Sequence, residues 1–428
     1  MTFPEPYKCF HDRTGIMPAS PTDDVASRLA GAPFGDAARI HPVPVIMSDR
    51  ELDWMAAATR QRARALQCLF ADVSCGTAAF SRHPGGMPDA LFDRVLTSHG
   101  LSRNELRRTW SGRSHGDVNF TYAPDLVPDG RGGWAVLEDN IGCIGGLADS
   151  DFCRRAYLDA IGLDRGPLPD ESPDLCRGVA ALVGDEDRQA VAVQLGCDGH
   201  VDGQPVRESA RRAALLRQLG LHVGDLPGQE RAAPVTRLVN FSSPSRRWYG
   251  AFSRGDLALL NAPHVEILGD KRLLPYVDAM VAFYLDERPM FTTLATSVVR
   301  AAADIAGRET GVVKSGRGAQ GMDVYFLDDA EEKNLAVQSI AGSEPMSFIV
   351  QELAPGAPFA GPDELARVEL RPFAFVLGNR PVVASRTPSA RVPLGDRRRG
   401  NLSRGSFYAA VLREPCGDGK VPEATRME

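Results

Sequence analysis

The segment from Ala190 to Val223 constrains the fold most, because strand, helix and strand patterns follow one another in it. Ala190–Leu195 is a short apolar run that predicts a strand, Glu208–Leu219 predicts a helix, and Leu221–Val223 predicts a second strand. A β-α-β unit places its two strands parallel, with a right-handed crossover through the helix. The segment therefore predicts a lobe built around a parallel sheet.

The regions on either side of this unit combine helices with hairpins. Asp49 to Asp72 repeats apolar residues at helical spacing, and Ser48 before it is a suitable N-cap. Val118–Val127 and Gly133–Leu137 are strand patterns joined by a Pro-Asp-Gly-Arg-Gly-Gly turn, which predicts a hairpin. After Gly311 the chain returns to strand patterns. These elements predict an α/β or α+β chain of several lobes.

Composition bounds the class of protein. A chain of 428 residues exceeds one ordinary core and predicts about two to three lobes. The formal net charge of −6 gives no overall basic field, so we expect no nucleic-acid partner. The eight cysteines include no C-x-x-C pair, which favours reduced cytosolic thiols. Neither an export signal nor an apolar run of about 18 residues is evident, so we expect a cytoplasmic protein without a membrane partner.

Three oxygen-bearing residues lie at the predicted hairpin. Glu138 and Asn140 are two apart on an extended strand and share a face, and Asp125 lies on the preceding strand across the turn. Two carboxylates and an amide oxygen are hard ligands that suit Mg²⁺ beside phosphates. The alternative interpretation is that these polar residues only cap a surface hairpin.

Two lysines are candidates for phosphate contacts. Lys314 ends a strand and precedes a glycine-rich turn whose backbone amides can approach phosphate oxygens. The candidate residues of this turn are Ser315, Gly316, Gly318 and Gly321. The turn is not a P-loop, because the lysine precedes the glycines. Lys271 opens a predicted amphipathic helix, and Gln351, Glu352 and Leu353 close an apolar strand. Taken singly, these features also fit a hairpin turn, a solvated helix face and a strand end.

The order of these motifs resembles a circularly permuted ATP-grasp protein. The usual order of that family is a lysine before a small lid, a strand lysine with a glycine loop, a hinge glutamate, and lastly Asp…Glu-x-Asn on a hairpin. Here the hairpin motif comes first, and Lys271, Lys314 and Glu352 follow it. Further segments between about residues 40 and 412 are similar to the permuted subfamily: Pro42–Ile46, Asn261–Pro263, Tyr284–Glu287, Val368–Phe373 and Arg391–Leu394.

The resemblance implies an ATP-dependent carboxylate–amine ligase that uses ATP and Mg²⁺ and acts through an acyl phosphate on small-molecule carboxylate and amine substrates. The implied roles are Mg²⁺ binding by Asp125, Glu138 and Asn140, phosphate binding by Lys271, Lys314 and the glycine turn, and adenosine binding by the hinge Gln351–Leu353, with Glu352 accepting hydrogen bonds. An ATP-dependent phosphotransferase and a degenerate nucleotide-binding scaffold are the alternatives. Retention of every implied metal ligand and both lysines counts against the scaffold.

Arginines are the candidates at the substrate end. Arg371 and Arg391 are expected to bind the transferred phosphoryl group or the substrate carboxylate, with an ordinary surface ion pair as the alternative. The segment 400–407 replaces a family loop that is richer in glycine and serine, and its candidate substrate contacts are Asn401, Ser403 and Arg404. The neighbouring run Arg397–Arg399 fits either a solvated loop or a site for an acidic small substrate or an acidic carrier protein.

Two further departures from the family pattern flank the candidate site. Gly269 stands where an aspartate is commoner before Asp270-Lys271, and Cys143 follows the metal motif where a Pro-Ser-Gly run is more usual. We interpret Cys143 as a packing residue, since phosphate activation requires no thioester chemistry.

The predicted architecture is α/β with α+β lobes, namely a circularly permuted ATP-grasp fold with a Rossmann-like α/β lobe. Its predicted parts are an N-terminal arm lying over the surface (1–44), an ATP-grasp part with the metal hairpin (45–150), a Rossmann-like substrate lobe (151–260), a helical connection with the first ATP lysine (261–307), a small lid (308–352), and the remaining core with the substrate loop and C-terminal tail (353–428).

Overall fold

The computed structural model describes residues 29, 39–42, 44–129, 133–142, 144–160, 174–183, 191–194, 200–201, 204–205, 207–223, 237–240, 248–318, 323–354, 359–360, 365–366, 368–393 and 406–413. Within them the helices are α1 (Asp49–Ser74), α2 (Asp89–Ser98), α3 (Arg103–Thr109), α4 (Leu147–Ala160), α5 (Asp174–Val183), α6 (Arg207–Gln218), α7 (Tyr249–Arg254), α8 (Leu274–Leu285), α9 (Ala303–Ala306) and α10 (Ala330–Ala341). None of these described helices combines the length and apolarity needed to cross a membrane.

The strands fall into several sheets. Their bounds are β1 (Arg39–Ile40), β2 (Val45–Met47), β3 (Asn119–Pro128), β4 (Trp134–Ile141), β5 (Val191–Gln194), β6 (His200–Val201), β7 (Gln204–Pro205), β8 (His222–Val223), β9 (Arg237–Asn240), β10 (Ala258–Leu260), β11 (Thr292–Thr293), β12 (Thr296–Val299), β13 (Val312–Ser315), β14 (Val324–Phe326), β15 (Phe348–Gln351), β16 (Phe359–Ala360), β17 (Leu365–Ala366), β18 (Glu369–Arg371), β19 (Ala374–Leu377), β20 (Val383–Ala384), β21 (Ser389–Val392), β22 (Phe407–Ala409) and β23 (Val411–Arg413).

The predicted hairpin forms the centre of the largest sheet. Strand β3 pairs antiparallel with β4 along one edge, and its other edge is shared by β19 and, at Leu126, by β18. Strands β21, β22 and β1 continue the sheet beyond β18, and β11 pairs with β4. The sheet thus brings the hairpin next to strands that lie some 250 residues later in the chain.

Helix α1 covers one face of this sheet. It begins at a capping box, in which the Ser48 hydroxyl accepts from the amide of Glu51 and the Glu51 carboxylate accepts from the amide of Ser48. Leu52 and Met55 on its buried face pack with Leu126 of β3 in one hydrophobic cluster, and burying such a side chain contributes about 1.5–3 kcal/mol. The amphipathic helix predicted from the spacing is therefore present and fixes this face as core.

The parallel sheet predicted from residues 190–223 is also present. Strand β5 pairs parallel with β8, and helix α6 lies between them in the chain. Strands β9 and β10 extend the sheet in the order β10-β9-β5-β8, again with parallel pairing. Together with the antiparallel hairpin sheet, this confirms the mixed α/β fold class.

A separate antiparallel sheet carries Lys314. Its strand order is β12-β15-β13-β14, and helix α10 packs against it through Ala336 and Ile340. Strand β12 pairs with β15 from Thr296 to Val299, so this sheet begins upstream of the lid boundary predicted at residue 308.

The described residues near both ends of the chain pair with each other. Strand β1 pairs parallel with β22, and β2 pairs parallel with β23. Ile40 is buried in the cluster that contains Tyr408. At Arg39–Ile40 the chain is therefore part of a sheet, in contrast to the surface arm predicted for 1–44, because the partner strand comes from residues that sequence spacing alone does not connect.

Candidate active site

A β-bulge sets the direction of the side chains on the hairpin. Asp125 pairs directly with Glu138, whereas the next pair is Leu126 with Val136, so Leu137 is the extra residue. The bulge reverses the alternation of the strand. As a result Val136 and Asp139 both face helix α1, while Glu138 shares the opposite face with Asp125. This is the face predicted for the metal-binding residues.

Asp125 is held by two arginines from neighbouring strands. The Nε and Nη2 atoms of Arg371 donate to its two oxygens at 2.6 and 2.7 Å, and Arg391 Nη2 lies 2.9 Å from Oδ2. Burial opposes ionisation of Asp125, but the charges of Arg371 and Arg391 outweigh it and hold the pKa of this carboxyl well below its usual range. The structure therefore brings both predicted arginines to the predicted metal site.

Glu369 is a member of this cluster that the sequence analysis did not single out as a functional residue. Its Oε2 atom lies 3.0 Å from Arg391 Nη2, and its carboxylate interacts with the charges of Asp125 and Arg371. Burial raises the pKa of Glu369, although the charge of Arg391 acts in the opposite direction. The available signal was its position two residues before Arg371 in β18, which places both side chains on one face of the strand.

Lys271 links the hairpin to the glycine turn. Its Nζ atom lies 3.2 Å from Glu138 Oε2 and donates to the carbonyl of Gly318 at 2.5 Å. A Cβ atom at Gly269, two residues earlier, would lie 3.3 Å from the carbonyl oxygen of Asp139. The segment at Gly269 thus packs closely against the backbone of β4.

Lys314 is buried in the antiparallel sheet and points towards the same carboxylates. Its Nζ atom donates to Gln351 Oε1 at 2.7 Å. Burial lowers the pKa of Lys314, and the charge of Glu138 opposes that shift. The Gln351 amide donates in turn to the carbonyl of Leu137 at 3.2 Å and to the hydroxyl of Thr296 at 3.0 Å. Gln351, predicted as part of the adenosine hinge, therefore connects Lys314 to the bulge of the hairpin.

The described part of the glycine turn is tied to three other segments. The Gly316 carbonyl accepts from the amide of Lys271 at 2.9 Å, and the Gly316 amide donates to Ser347. A Cβ atom at Gly316 would lie 2.6 Å from the side chain of Arg272, which is fully buried. Arg317 donates to the carbonyl of Ser98 at the end of α2. Close packing at Gly316 therefore explains the glycine independently of any ligand.

The hinge residues after β15 differ in exposure. Glu352 is exposed, its amide donates to the carbonyl of Ala295 at 2.8 Å, and its carboxylate accepts from the amide of Ala295 at 3.2 Å. Leu353 is half-buried. The carboxylate of Glu352 remains accessible, as the predicted contact with ribose or adenine requires.

A second network of hydrogen bonds and ion pairs, not predicted from the sequence, lies on the face of the hairpin that packs against α1. Arg62 of α1 donates to both oxygens of Asp139, at 2.7 and 2.8 Å, and the hydroxyl of Tyr122 donates to the same carboxylate at 2.6 Å. Arg62 also donates to Asp278 and Thr293. Asp139 stands between Glu138 and Asn140, so this buried network fixes the strand that carries both candidate ligands.

The donor set at the hairpin fits a divalent cation bound with phosphates. Asp125 and Glu138 are paired directly across β3 and β4, and a cation suits two carboxylates at neighbouring positions on one face. The Nδ2 atom of Asn140 is a buried N–H donor without a hydrogen-bond partner among the described residues, which suits a ligand oxygen, whereas Oδ1 is the atom of this side chain that could bind a cation. In the part of the chain that the structure describes, no group of three or more His, Cys, Asp and Glu residues could hold a metal. A cation at the hairpin would therefore need the amide of Asn140 and oxygen atoms of the bound ligand in addition to the two carboxylates.

Several predicted residues lie outside the described part of the chain. They are Gly321 of the glycine turn, Cys143, the run Arg397–Arg399, and the candidate substrate contacts Asn401, Ser403 and Arg404. Their predicted roles stay predictions.

Comparisons with known proteins bear on the family resemblance and the fold. The model of a family described as a circularly permuted ATP-grasp matches residues 248–351, which include Lys271, Lys314 and Gln351 and confirm the resemblance. A Frankia alni protein provisionally named glutamate–cysteine ligase 2-3 is 27% identical over 442 residues, covering 90% of this chain and 48% of that protein. The chain thus spans about half the length of this relative.

One solved structure shares the fold over most of its length. It is a glutathione synthetase-like effector from Globodera pallida in its apo form, with a TM-score of 0.53 and 16% identity. The match covers 91% of this chain and 95% of the effector. At this identity the likeness supports the fold.

Proposed function

We propose that this chain, a circularly permuted ATP-grasp protein, is an ATP-dependent ligase that joins a carboxylate to an amine and releases ADP and phosphate. The observation that carries the proposal is the convergence of Lys271 and Lys314 on Glu138, beside Asp125 and Asn140. Two cations next to a carboxylate pair suit a triphosphate bound with a divalent metal.

Each step has a group to perform it. A carboxylate oxygen of the substrate attacks the γ-phosphorus of ATP, and the bond to ADP breaks as the acyl phosphate forms. Lys271 and Lys314 hold the phosphates, while Arg371 and Arg391 offset the charge that develops on the transferred group. Mg²⁺ bound by Asp125, Glu138 and Asn140 would neutralise charge on the phosphate oxygens. The amine then attacks the acyl carbon, phosphate leaves, and the amine loses a proton.

The hinge and the turn complete the nucleotide site in this proposal. Ser315, Gly316, Gly318 and Gly321 cover the phosphates, and Gln351, Glu352 and Leu353 border the adenosine. The exposed carboxylate of Glu352 supports its role as a hydrogen-bond acceptor. The side chain of Gln351 accepts a hydrogen bond from Lys314, so this residue would border the adenosine through its backbone.

We propose small-molecule amino acids as the substrates. Support comes from the name of the Frankia alni relative, which describes a ligase that joins two amino acids. Asn401, Ser403 and Arg404 would contact the substrate. The proposal of an acidic carrier protein as partner is based on the arginine-rich segment alone and has less support.

We propose a cytoplasmic location on the basis of the cysteine pattern.

A matrix of amino acids tests the function. Purified protein with ATP and Mg²⁺ is incubated with pairs of amino acids, and ADP release and the condensed product are measured together by a coupled assay and mass spectrometry. We expect ADP release that requires both partners. ADP release without any amine, with a stable phosphorylated product, would instead support a phosphotransferase. Absence of any nucleotide turnover would support a nucleotide-binding scaffold.

A further inference from the structure

Arg272 is a charged residue in the interior of the protein, with only 2% of its side chain exposed. Its Nε and Nη2 atoms donate to the two oxygens of Asp270 at 2.8 and 2.5 Å, and Nη1 donates to the carbonyl of Met346 at 3.2 Å. Nη2 also donates to the hydroxyl of Ser98. Every nitrogen of this guanidinium group is engaged by the protein, so Arg272 can affect a reaction only through the residues that it holds.

The acceptors of Arg272 lie on three separate segments. Ser98 is the last residue of α2, Asp270 directly precedes Lys271, and Met346 lies two residues before β15 of the lid sheet. Met346 has a φ of 62°, in the left-handed region that residues with a side chain rarely adopt. Such a conformation persists only when surrounding contacts fix it. The bond from Arg272 to the Met346 carbonyl is one of these contacts.

The glycine turn packs against the same side chain. A Cβ atom at Gly316 would lie 2.6 Å from Nε and 3.0 Å from Cδ of Arg272. The Gly316 carbonyl accepts from the amide of Lys271 and its amide donates to the carbonyl of Ser347, both at 2.9 Å. The Nζ atom of Lys271 in turn lies 3.2 Å from Glu138 Oε2. The position of Arg272 therefore determines how the turn lies against Lys271.

Stability alone is a weak reason for an arginine at this position. A buried ion pair costs desolvation free energy, and apolar side chains of similar volume often replace such pairs without loss of stability. A planar group with donors at fixed angles can connect three segments at once, which neither an apolar side chain nor lysine can do.

We propose that Arg272 is a positioning residue, which holds the glycine turn and the segment before β15 in register with Lys271 so that their donors converge on the phosphates. This inference rests on the proposed function for the presence of the phosphates. The order of the turn, however, can be measured without any nucleotide.

Amide hydrogen exchange of the full chain without nucleotide is the first test. Arg272→Lys keeps a positive charge beside Asp270 but removes the planar group. We expect exchange in peptides covering 314–318 and 345–348 to become about tenfold faster or more, because these segments lose a shared anchor. Peptides from β19 should be unaffected. Arg60→Lys, at an exposed position of α1, is the matched control.

Binding of ADP with saturating Mg²⁺, measured by calorimetry, is the second test. Arg272→Lys should weaken ADP binding by about tenfold or more, because a small displacement of the binding groups has a large effect. Urea unfolding of the same variant measures stability separately. A loss of stability with parental ADP affinity would show a purely structural role and overturn the proposal.

Ser98→Ala keeps the proposal testable if Arg272→Lys does not fold, which circular dichroism would reveal. This variant removes one acceptor of Arg272 at a half-buried position. It should weaken ADP binding in the same direction by about threefold. Thr97→Ala is its control, because the hydroxyl of Thr97 is exposed and donates within α2 to the carbonyl of Asp93.

The possible results separate this proposal from the proposed function. Parental exchange at 314–318 and 345–348 in Arg272→Lys would overturn the role of Arg272, whatever the protein binds. If the parent protein did not bind ADP with Mg²⁺ while exchange of the turn still depended on Arg272, the ordering of the turn by Arg272 would stand and the ligase proposal would fall.

Discussion

Asp139 lies between two candidate metal ligands but faces away from them, towards helix α1. There Arg62 and Tyr122 satisfy its carboxylate, and the side chains of the Arg62–Asp139 pair are only 3% and 4% exposed. A buried ion pair costs desolvation free energy, and the loss of one partner leaves the other charge buried alone. The pair therefore makes the position of β4 depend on α1.

We expect Arg62→Met to lower the free energy of unfolding by about 3–5 kcal/mol, because Asp139 would lose its buried counter-ion. Urea unfolding followed by circular dichroism measures the change. Arg60→Met, on the exposed side of the same helix, is the control and should stay within about 0.5 kcal/mol of the parent. A similar small effect for Arg62→Met would show that β4 does not depend on this pair.

Glu138→Gln should reduce ADP formation by about a hundredfold or more and leave the fold intact. The substitution preserves shape but replaces a carboxylate by a neutral amide, which holds a divalent cation poorly beside a triphosphate. Initial rates of ADP release, once a substrate pair is known, provide the measurement. The matched control is Glu344→Gln, whose side chain is 77% exposed and pairs with Arg94. Parental turnover in Glu138→Gln would remove Glu138 from the metal site.

Among the secondary-structure elements, those with local signals were predictable from the sequence. The cap at Ser48 and the apolar spacing after it predicted α1, and the glycine-rich turn predicted the β3–β4 hairpin. The β-bulge at Leu137 has no such local signal, because it is defined by the register between β3 and β4. Strand β18 ends at Arg371, directly before Pro372, and β19 begins at Ala374, because proline cannot donate a ladder hydrogen bond.

The element that carries Lys314 is expected to respond to nucleotide. The backbone of its turn contacts Lys271 and Ser347, and the side chain of Arg317 donates to the carbonyl of Ser98. Lys271 also contacts both Glu138 and Gly318. A bound phosphate would compete for Lys271 and change these contacts. We therefore expect amide hydrogen exchange between residues 308 and 352 to slow when Mg²⁺ and a non-hydrolysable ATP analogue are added.

Peptides from β19 serve as the internal reference for that measurement. Ala374–Leu377 is a buried strand of the central sheet and should exchange equally slowly in both conditions. Identical exchange of the 308–352 segment with and without saturating nucleotide would contradict a lid that closes over phosphates.

At the scale of the whole molecule, the candidate site is assembled from distant parts of the chain. Arg371 reaches Asp125 across 246 residues, and Arg62 reaches Asp139 across 77. The identity of the hairpin and lysine motifs could be predicted because each is local and their order matched a family. The roles of Glu369 and Arg62 could not, because they depend on which strands and helices become neighbours in the sheet.

Charge is distributed unevenly over the molecule. The formal net charge is −6, yet the named ionic groups at the site comprise four cations and three carboxylates: Lys271, Lys314, Arg371 and Arg391 with Asp125, Glu138 and Glu369. The rate at which an anionic substrate would reach the site of a negatively charged molecule therefore depends on positive charge near the site. This electrostatic attraction weakens as salt screens it.

The arginine run at 397–399 is the last candidate for this local charge. We expect the variant with all three arginines changed to alanine to have a higher KM for the carboxylate or amine substrate and a nearly unchanged KM for ATP, with a larger effect at low ionic strength. Steady-state kinetics at two salt concentrations measure this. The control replaces Arg60, Arg64 and Arg108, all exposed, by alanine and removes the same charge elsewhere. If both variants raised KM equally, or neither did, the run would act as a solvated loop, since exposed charges contribute only about 0–1 kcal/mol.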